Sequence, residues 1–217
     1  MSYREDMQMR IDAASAGSAF VISDFTDLMD YETAKKNLDR FEKAGKIRRV
    51  MRGVYDKPRY SEILKDYAPA NTENIANAIA RNYHWDIAPT GEAALNYLGI
   101  STQVPGSWDY VSSGPYKSYD IGNVKICFLH RSDRMVGGMS PKTALVIQAL
   151  KSIGRERVDE RTIRQIRNRL SEEEKANLLV EGRRTIPWIY SIIKEIAKTE
   201  EENVQRCRIS SSALTGL

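Results

Sequence analysis

The sequence has few residues of the kinds that build disulfide scaffolds, metal sites or membrane spans. Its two cysteines, Cys127 and Cys207, lie far apart, with no second Cys or His nearby at ligand spacing. This spacing argues against a disulfide framework and a zinc site. The longest apolar stretches, residues 144–150 and 186–193, are too short to cross a bilayer. We therefore expect a protein of the reducing cytoplasm that uses no metal and no cofactor.

Patterns typical of catalysis are also scarce. The two histidines, His84 and His130, are each expected at a strand edge, where a structural imidazole is the common case. Asp24, Asp27 and Asp30 stand at predicted helix starts, where capping and the helix dipole explain a carboxylate. No glycine run matches a phosphate-binding or dinucleotide motif. The sequence therefore predicts a protein that is not an enzyme.

Positive charge is present, and it is concentrated. The formal net charge is +4, yet residues 35–60 hold ten Lys or Arg against three acidic residues. A basic segment on an otherwise nearly neutral chain is the electrostatic footprint of a nucleic-acid contact, because neutralised phosphates supply much of the affinity. A solvated face rich in salt bridges is the alternative that charge alone leaves open.

Around this basic segment the pattern predicts a compact order of elements. A first helix is predicted over residues 3–16, a short one over 23–28 and a longer one over 31–44. Two short strands follow, over residues 46–50 and 54–57. Helix, short helix, longer helix and basic hairpin is the order of a winged helix-turn-helix.

Local signals support these boundaries. Ser23 and Asp30 are candidate N-caps, Gly45 suits the left-handed residue that ends a helix, and Gly53 suits a tight turn between the strands. In the longer helix three apolar residues with i, i+4, i+7 spacing are expected to face the core; they are Ala34, Leu38 and Phe41.

The other face of that helix and the hairpin supply the candidate DNA contacts. Arg40 and Asn37 can form paired hydrogen bonds with guanine and adenine edges, whereas Lys36 and Thr33 are less selective. The hairpin arginines would reach phosphates or the minor groove. The predicted DNA-binding residues are Thr33, Lys36, Asn37, Arg40, Arg48, Arg49, Arg52, Lys57 and Arg59.

The rest of the chain predicts an α+β domain with a small antiparallel sheet and a C-terminal helical segment. The predicted strands are residues 84–88, 108–112, 117–121 and 124–129, and the predicted helices are 72–83, 91–99, 144–153, 160–170 and 187–198. The expected organisation is a winged helix-turn-helix at 1–60, a connector at 61–70, an α+β effector domain at 71–200 and a tail at 201–217.

Two stretches resemble the AbiEi-like antitoxin family of type IV, or abortive infection, toxin-antitoxin systems. The first resembles that family's winged-helix start and comprises residues 17–20, 24–25, 38–41, 45–49 and 52–58. The second, residues 89–105, resembles the family's central signature. The similarity is spread over about residues 3–198 and keeps the family's order.

This resemblance implies a phage-defence antitoxin with two roles. The N-terminal domain would repress its own operon by binding double-stranded operator DNA at inverted repeats, where molecules could pair. The C-terminal domain would counter a nucleotidyltransferase-like toxin without a required stable complex. The family offers no catalytic residues. Lys36, Asn37 and Arg40 fall on the matching recognition helix, and Arg48, Arg49 and Arg52 on the matching wing.

Other interpretations stay open from the sequence. A ligand-responsive winged-helix transcription regulator would lack a neighbouring toxin gene, and a nucleic-acid enzyme would need a carboxylate cluster. A helix beginning at Asp159 would also place Arg157, Arg161 and Arg164 near one side. This second basic patch is either a further contact with DNA, RNA or an acidic partner, or a solvated helix balanced by the acidic residues 172–174.

Overall fold

The computed structural model describes residues 3–131 and 138–198, and this part of the chain is α+β, with helices and small antiparallel sheets. The predicted tail, residues 201–217, lies outside the described residues. Contacts between Cα atoms divide the chain into two compact units. The first comprises Met1–Ile87, Gly106–Trp108 and Ser112–Ser132, and the second Ala88–Pro105, Asp109–Val111 and Asp133–Leu217. The main division thus follows Ile87, beyond the predicted connector at 61–70.

The first unit begins with three helical segments around a three-stranded antiparallel sheet. The sheet has the order β1-β3-β2, so the first strand pairs with the last. The elements in chain order are α1 (Tyr3–Ala13), β1 (Ala19–Val21), a 3-10 helix (Ile22–Phe25), α2 (Tyr31–Lys43), β2 (Arg48–Met51) and β3 (Val54–Asp56).

An apolar core holds these elements together. The predicted stripe of α2 is confirmed, because Ala34, Leu38 and Phe41 are buried. They pack with Met7 and Ile11 of α1 and with six other buried side chains from the strands, loops and 3-10 helix. Burial of such side chains contributes roughly 1.5–3 kcal/mol each. This core fixes α2 against α1 and leaves the opposite side of α2 facing solvent.

The ends of α2 and of the hairpin follow the predicted local chemistry. The Asp30 carboxylate accepts a hydrogen bond from the Thr33 amide at 3.0 Å, as an N-cap does. Gly45 and Gly53 have φ of +71° and +78°, which confirms both as positive-φ positions.

The aspartates and serine near the 3-10 helix behave differently from the prediction. The Ser23 side chain does not cap the helix; instead the Asp24 carboxylate accepts from the Val21 amide at 2.9 Å, because the N-cap position is Val21, two residues earlier than expected. Asp27 is not a cap either, since it forms a two-pronged ion pair with Arg10 at 2.8 and 2.6 Å. Arg10 also holds the pKa of Asp27 below its usual value.

The rest of the first unit adds a small hairpin, a helix and a second strand pair. The predicted connector contains the hairpin β4 (Tyr60–Ser61) and β5 (Asp66–Tyr67). Helix α3 (Thr72–Tyr83) begins at the cap Asn71 and packs against β1 and β3, which makes it part of this unit. The predicted extended segment at 84–88 is wrong at its start, because His84 has left-handed φ of 55° and ends α3.

A four-stranded sheet has the order β6-β7-β9-β8. Its strands are β6 (Ile87–Pro89), β7 (Ser107–Ser112), β8 (Lys117–Ile121) and β9 (Val124–His130). Strands β8 and β9 form an antiparallel hairpin in which Tyr119 stands opposite Ile126.

The second unit is mainly helical. Leu98, Val146, Leu150, Ile166 and Ile193 are among the buried side chains of its core. Its helices are α4 (Gly91–Tyr97), α5 (Pro141–Ile153), α6 (Glu160–Arg167), α7 (Glu172–Glu181) and α8 (Pro187–Ile196). None of the helices in residues 3–131 and 138–198 has the length and apolarity needed to span a bilayer.

Candidate nucleic-acid interface

The solvent side of α2 carries a row of cations. Lys36, Arg40 and Lys43 are exposed, and their spacing of four and three residues places them on one side of the helix. Neither lysine has a hydrogen bond or an ion pair with another described residue. Thr33 is exposed as well. Lys43 was missed by the sequence interpretation, although its position seven residues after Lys36 is the signal that places it there.

Asn37 does not belong to this exposed row. Its side chain is buried, with 4% exposure; Nδ2 donates to the Met29 sulfur at 3.3 Å, and Oδ1 accepts from Arg40 Nη1 at 3.4 Å. The prediction that Asn37 shares the polar face is therefore wrong. The physical reason is helical spacing, because position 37 follows the buried Ala34 by three residues and lies beside Leu38. The Asn37 side chain thus packs inside the first unit, where it contacts Met29 and Arg40.

Arg48 forms an ion pair that fixes the hairpin. It lies directly across from Asp56 in the β2–β3 register, and its Nε and Nη2 atoms donate to the two carboxylate oxygens at 3.0 and 2.6 Å. Nη2 also donates to the Ala68 carbonyl at 3.3 Å. Asp56 is 1% exposed, so its charge needs this partner. The bond to Asp56 raises the pKa of Arg48 even though burial lowers it.

The side chain of Lys57 also forms its hydrogen bonds within the protein. Its Nζ atom donates to three carbonyl oxygens at the end of α1, those of Ile11, Asp12 and Ala14, at 3.2, 2.8 and 2.8 Å. A cation at this point satisfies carbonyls that lack helical partners and opposes the negative end of the helix dipole. Arg48 and Lys57 were both predicted as DNA contacts, and the structure instead gives their donor atoms to protein oxygens.

Replacing Lys57 with methionine tests this capping role. We expect Lys57→Met to lower the free energy of unfolding by about 1–2 kcal/mol, because three carbonyls lose their donor and the dipole loses its counter-charge. Arg59→Met is the matched control, since Arg59 is exposed and has no side-chain partner among the described residues. Equal stability of the two variants in urea denaturation would contradict the role given to Lys57.

The remaining cations of the hairpin segment are free to bind. Arg49, Arg52 and Arg59 are exposed, and none forms a hydrogen bond or an ion pair with another described residue through its side chain. Arg49 begins the irregular part of the β2–β3 register, which shifts between Arg49 and Met51. Arg52 lies in the turn beside Gly53. These three arginines keep all their donors available, in contrast to Arg48 and Lys57.

Tyr55 connects the hairpin to α2. Its hydroxyl donates to Asp39 of α2 at 3.0 Å, and burial together with this carboxylate raises the pKa of Tyr55 to about 12. The positive charge of Arg49 is close enough to oppose that rise. Arg49 stands opposite Tyr55 in the sheet register, so its charge lies on the side where the hairpin meets α2. We call Lys36, Arg40, Lys43, Arg49, Arg52 and Arg59 the unpaired cations, because none of them forms an ion pair with another described residue.

The chain's family match extends over most of its length. The profile of the DUF6088 family, described as a family of unknown function, matches residues 6–178. The chain belongs to the DUF6088 family. No curated protein gives a significant match. The DUF6088 match includes the whole basic segment, α2 and the β2–β3 hairpin.

The three arginines of the predicted second basic patch of this DUF6088 protein are exposed and lie on two elements. Arg161 and Arg164 are exposed and lie three residues apart on α6. Arg157 is not on that helix, because it ends a separate 3-10 helix ahead of the cap Asp159, and its Nη2 atom donates to the Ser152 carbonyl at 3.3 Å. The predicted helix start at Asp159 is confirmed, and that the three arginines share one side stays a prediction.

Two of the three acidic residues expected to balance that patch have other partners. Glu172 pairs with Lys175 at 2.7 Å, and Glu174 lies 3.9 Å from Lys142. In residues 3–131 and 138–198, no group of three or more His, Cys, Asp or Glu side chains could hold a metal ion.

Proposed function

We propose that this DUF6088 protein is a DNA-binding antitoxin of a type IV toxin-antitoxin system that represses its own operon. In this proposal residues 3–57 form a winged helix. The observation that carries the proposal is the combination of a particular element order with cations that the protein leaves unpaired.

The element order supports the winged-helix interpretation. Helix α1, strand β1, the short 3-10 helix, α2 and the β2–β3 hairpin follow one another, and β1 closes the sheet by pairing with β3. In such a domain α2 is the recognition helix and the hairpin is the wing. The wing turn needs the positive φ of Gly53.

The distribution of charge supports DNA as the ligand. Lys36, Arg40 and Lys43 stand on the solvent side of α2, and a major groove is wide enough to admit a helix. In this proposal Arg40 contacts a base edge, while the lysines and the wing arginines Arg49 and Arg52 contact phosphates. Free side-chain donors favour this use. A cation already held by a carboxylate must give up that ion pair to bind phosphate, so it gains less free energy from the phosphate contact.

The antitoxin role has a different support, namely the motifs at residues 17–58 and 89–105 that resemble the AbiEi-like family. On this basis two molecules would bind adjacent half-sites of an inverted repeat in the cytoplasm. The second unit would serve to counter a nucleotidyltransferase-like toxin.

A salt-dependent titration tests the DNA-binding half of the proposal. The purified full chain is titrated on the DNA upstream of its own gene and on a scrambled fragment of equal length. We expect tighter binding to the upstream DNA and a slope of log K against log salt of about −0.9 per phosphate contact. Equal binding to the two fragments would contradict operator recognition, and no binding at low salt would contradict DNA binding altogether.

Growth rescue tests the toxin half. The nucleotidyltransferase-like gene expected beside this one is induced alone and together with the full chain. We expect growth arrest in the first case and recovery in the second. Persistent arrest, with the chain present at normal levels, would contradict the antitoxin role and leave a ligand-responsive winged-helix regulator as the second candidate, which a cleft beside the wing turn favours.

A further inference from the structure

A cleft of about 220 Å³ lies inside the first unit, next to the wing turn. Five parts of the unit line it: the end of β1 and the start of the 3-10 helix at Val21 and Ile22, the turn around Arg52, the start of α2 at Tyr31, the end of α3 at Asn82 and Tyr83, and Tyr119 of β8. The volume is below that of pockets for drug-sized molecules, roughly 300–1,000 Å³, and the cleft is partly open to solvent, so a ring can enter it while the rest of a larger ligand lies at its mouth.

The polar groups in this cleft include donors without a well-formed hydrogen bond. The Tyr119 hydroxyl is buried and lies close to Tyr83, but it has no hydrogen-bond partner in good geometry among the described residues. Burial raises the pKa of Tyr119 to about 12, so the hydroxyl keeps its proton at neutral pH. Asn82 Oδ1 accepts from the Ser23 hydroxyl at 3.2 Å, which leaves the amide NH₂ group of Asn82 to donate. A buried donor without a good partner, such as the Tyr119 hydroxyl, destabilises a folded protein and favours a ligand that accepts from it.

The charge around the cleft is positive. Arg52 lines it with an unpaired guanidinium, and Lys117 stands with its Nζ atom 5.6 Å from the Tyr83 ring centroid and 5.7 Å from that of Tyr119. The described residues that line the cleft include no Asp or Glu. An anion is therefore favoured over a neutral or cationic ligand.

The aromatic rings give the cleft a stacking surface. The ring of Tyr83 is itself stacked on Trp85, with centroids 4.8 Å apart and an interplanar angle of 21°. A ring held in this way loses little conformational freedom when a second planar group is added. Stacking of a base on an aromatic side chain is a common and sequence-tolerant source of affinity.

We propose that this cleft binds a mononucleotide, with its base against the tyrosines, its base edge hydrogen-bonded to Asn82 and Tyr119, and its phosphate on Arg52. Arg52 is also one of the wing cations assigned to DNA phosphates. Two phosphates brought to one guanidinium repel each other, so nucleotide and DNA weaken each other's binding. The cleft is thus a regulatory site, and this regulation rests on the DNA-binding half of the proposed function.

Nucleotide binding is tested without DNA. The full chain is titrated by calorimetry with each of the four ribonucleoside 5′-monophosphates, and with adenosine and inorganic phosphate as partial ligands. We expect at least one nucleotide to bind about tenfold or more tightly than either partial ligand, because ring and phosphate contacts combine in one site. Absence of saturable binding by all four nucleotides up to about 1 mM would overturn the proposal.

Two variants and a matched control locate the site. Arg52→Ala should weaken nucleotide binding about tenfold, since a charge-assisted phosphate contact is lost. Tyr119→Phe should weaken it severalfold without lowering the melting temperature, because among the described residues the hydroxyl makes no hydrogen bond in good geometry. Arg49→Ala, also on the hairpin but outside the cleft, should leave nucleotide affinity unchanged. Wild-type affinity in both cleft variants would overturn the assignment.

A competition experiment tests the regulation. Saturating nucleotide should weaken binding of the full chain to its upstream DNA about tenfold, and Tyr119→Phe should require more nucleotide for the same effect. Unchanged DNA affinity at saturation would overturn the regulatory role. A protein that binds nucleotide but no DNA at low salt would contradict the proposed function, while the cleft assignment would stand on the calorimetry.

Discussion

Arg48→Ala is expected to lower the free energy of unfolding by about 3 kcal/mol, whereas Arg49→Ala is expected to change it by less than about 0.5 kcal/mol. The first substitution leaves the Asp56 carboxylate, which is 1% exposed, without its cation. The second removes an exposed side chain that has no partner among the described residues. Urea denaturation of the two variants and the wild type measures the difference.

The Arg49 substitution should instead show its effect in DNA binding. Arg49→Ala should remain folded and lose about one unit of the salt slope, because one phosphate contact disappears. Arg48→Met combined with Asp56→Leu is the control, since replacing both members of a buried ion pair with apolar groups restores much of the stability.

If Arg48→Ala were as stable as Arg49→Ala, the ion pair would not be what fixes the hairpin.

Arg40→Ala is expected to reduce discrimination between operator and scrambled DNA by about 1–3 kcal/mol, as loss of a two-pronged contact with a base edge would. Lys36→Ala should instead weaken binding to both DNAs by similar factors, because a phosphate contact carries no sequence information. The measurement is the affinity of each variant for both fragments at one salt concentration.

Lys125→Ala provides the matched control for these helix variants. Lys125 is exposed on β9, outside α2 and the β2–β3 hairpin, and its substitution removes the same charge. Its DNA affinity should stay within about twofold of wild type. Equal losses for Arg40→Ala on both fragments would contradict base recognition by Arg40, and equal losses for Lys125→Ala and Lys36→Ala would contradict a defined DNA-binding face.

The local elements of the first unit were predictable because their causes lie within a few residues of one another. The i, i+4, i+7 spacing of Ala34, Leu38 and Phe41 determines which side of α2 is buried. A carboxylate at Asp30 and a glycine at position 45 determine where that helix begins and ends. The α+β class follows from the same kind of information.

The boundaries between units were not predictable in this way. Helix α3 is amphipathic, and its pattern shows that one face is buried but not which partner covers it. The structure shows that β1 and β3 cover it. The cleft has the same origin, because residues from positions 31, 52, 82 and 119 meet only after these elements have packed.

The sequence by itself determined the basic composition of residues 35–60 and the helices and strands that carry it. Only the tertiary structure decided which of those cations are available to a ligand. Arg48 is held by a carboxylate on the neighbouring strand, and Lys57 by carbonyls more than 40 positions earlier in the chain. Arg49 and Arg52 have the same charge in the same segment and remain free. The reason is physical: a charge in a sequence has no partner until folding brings one within hydrogen-bond distance.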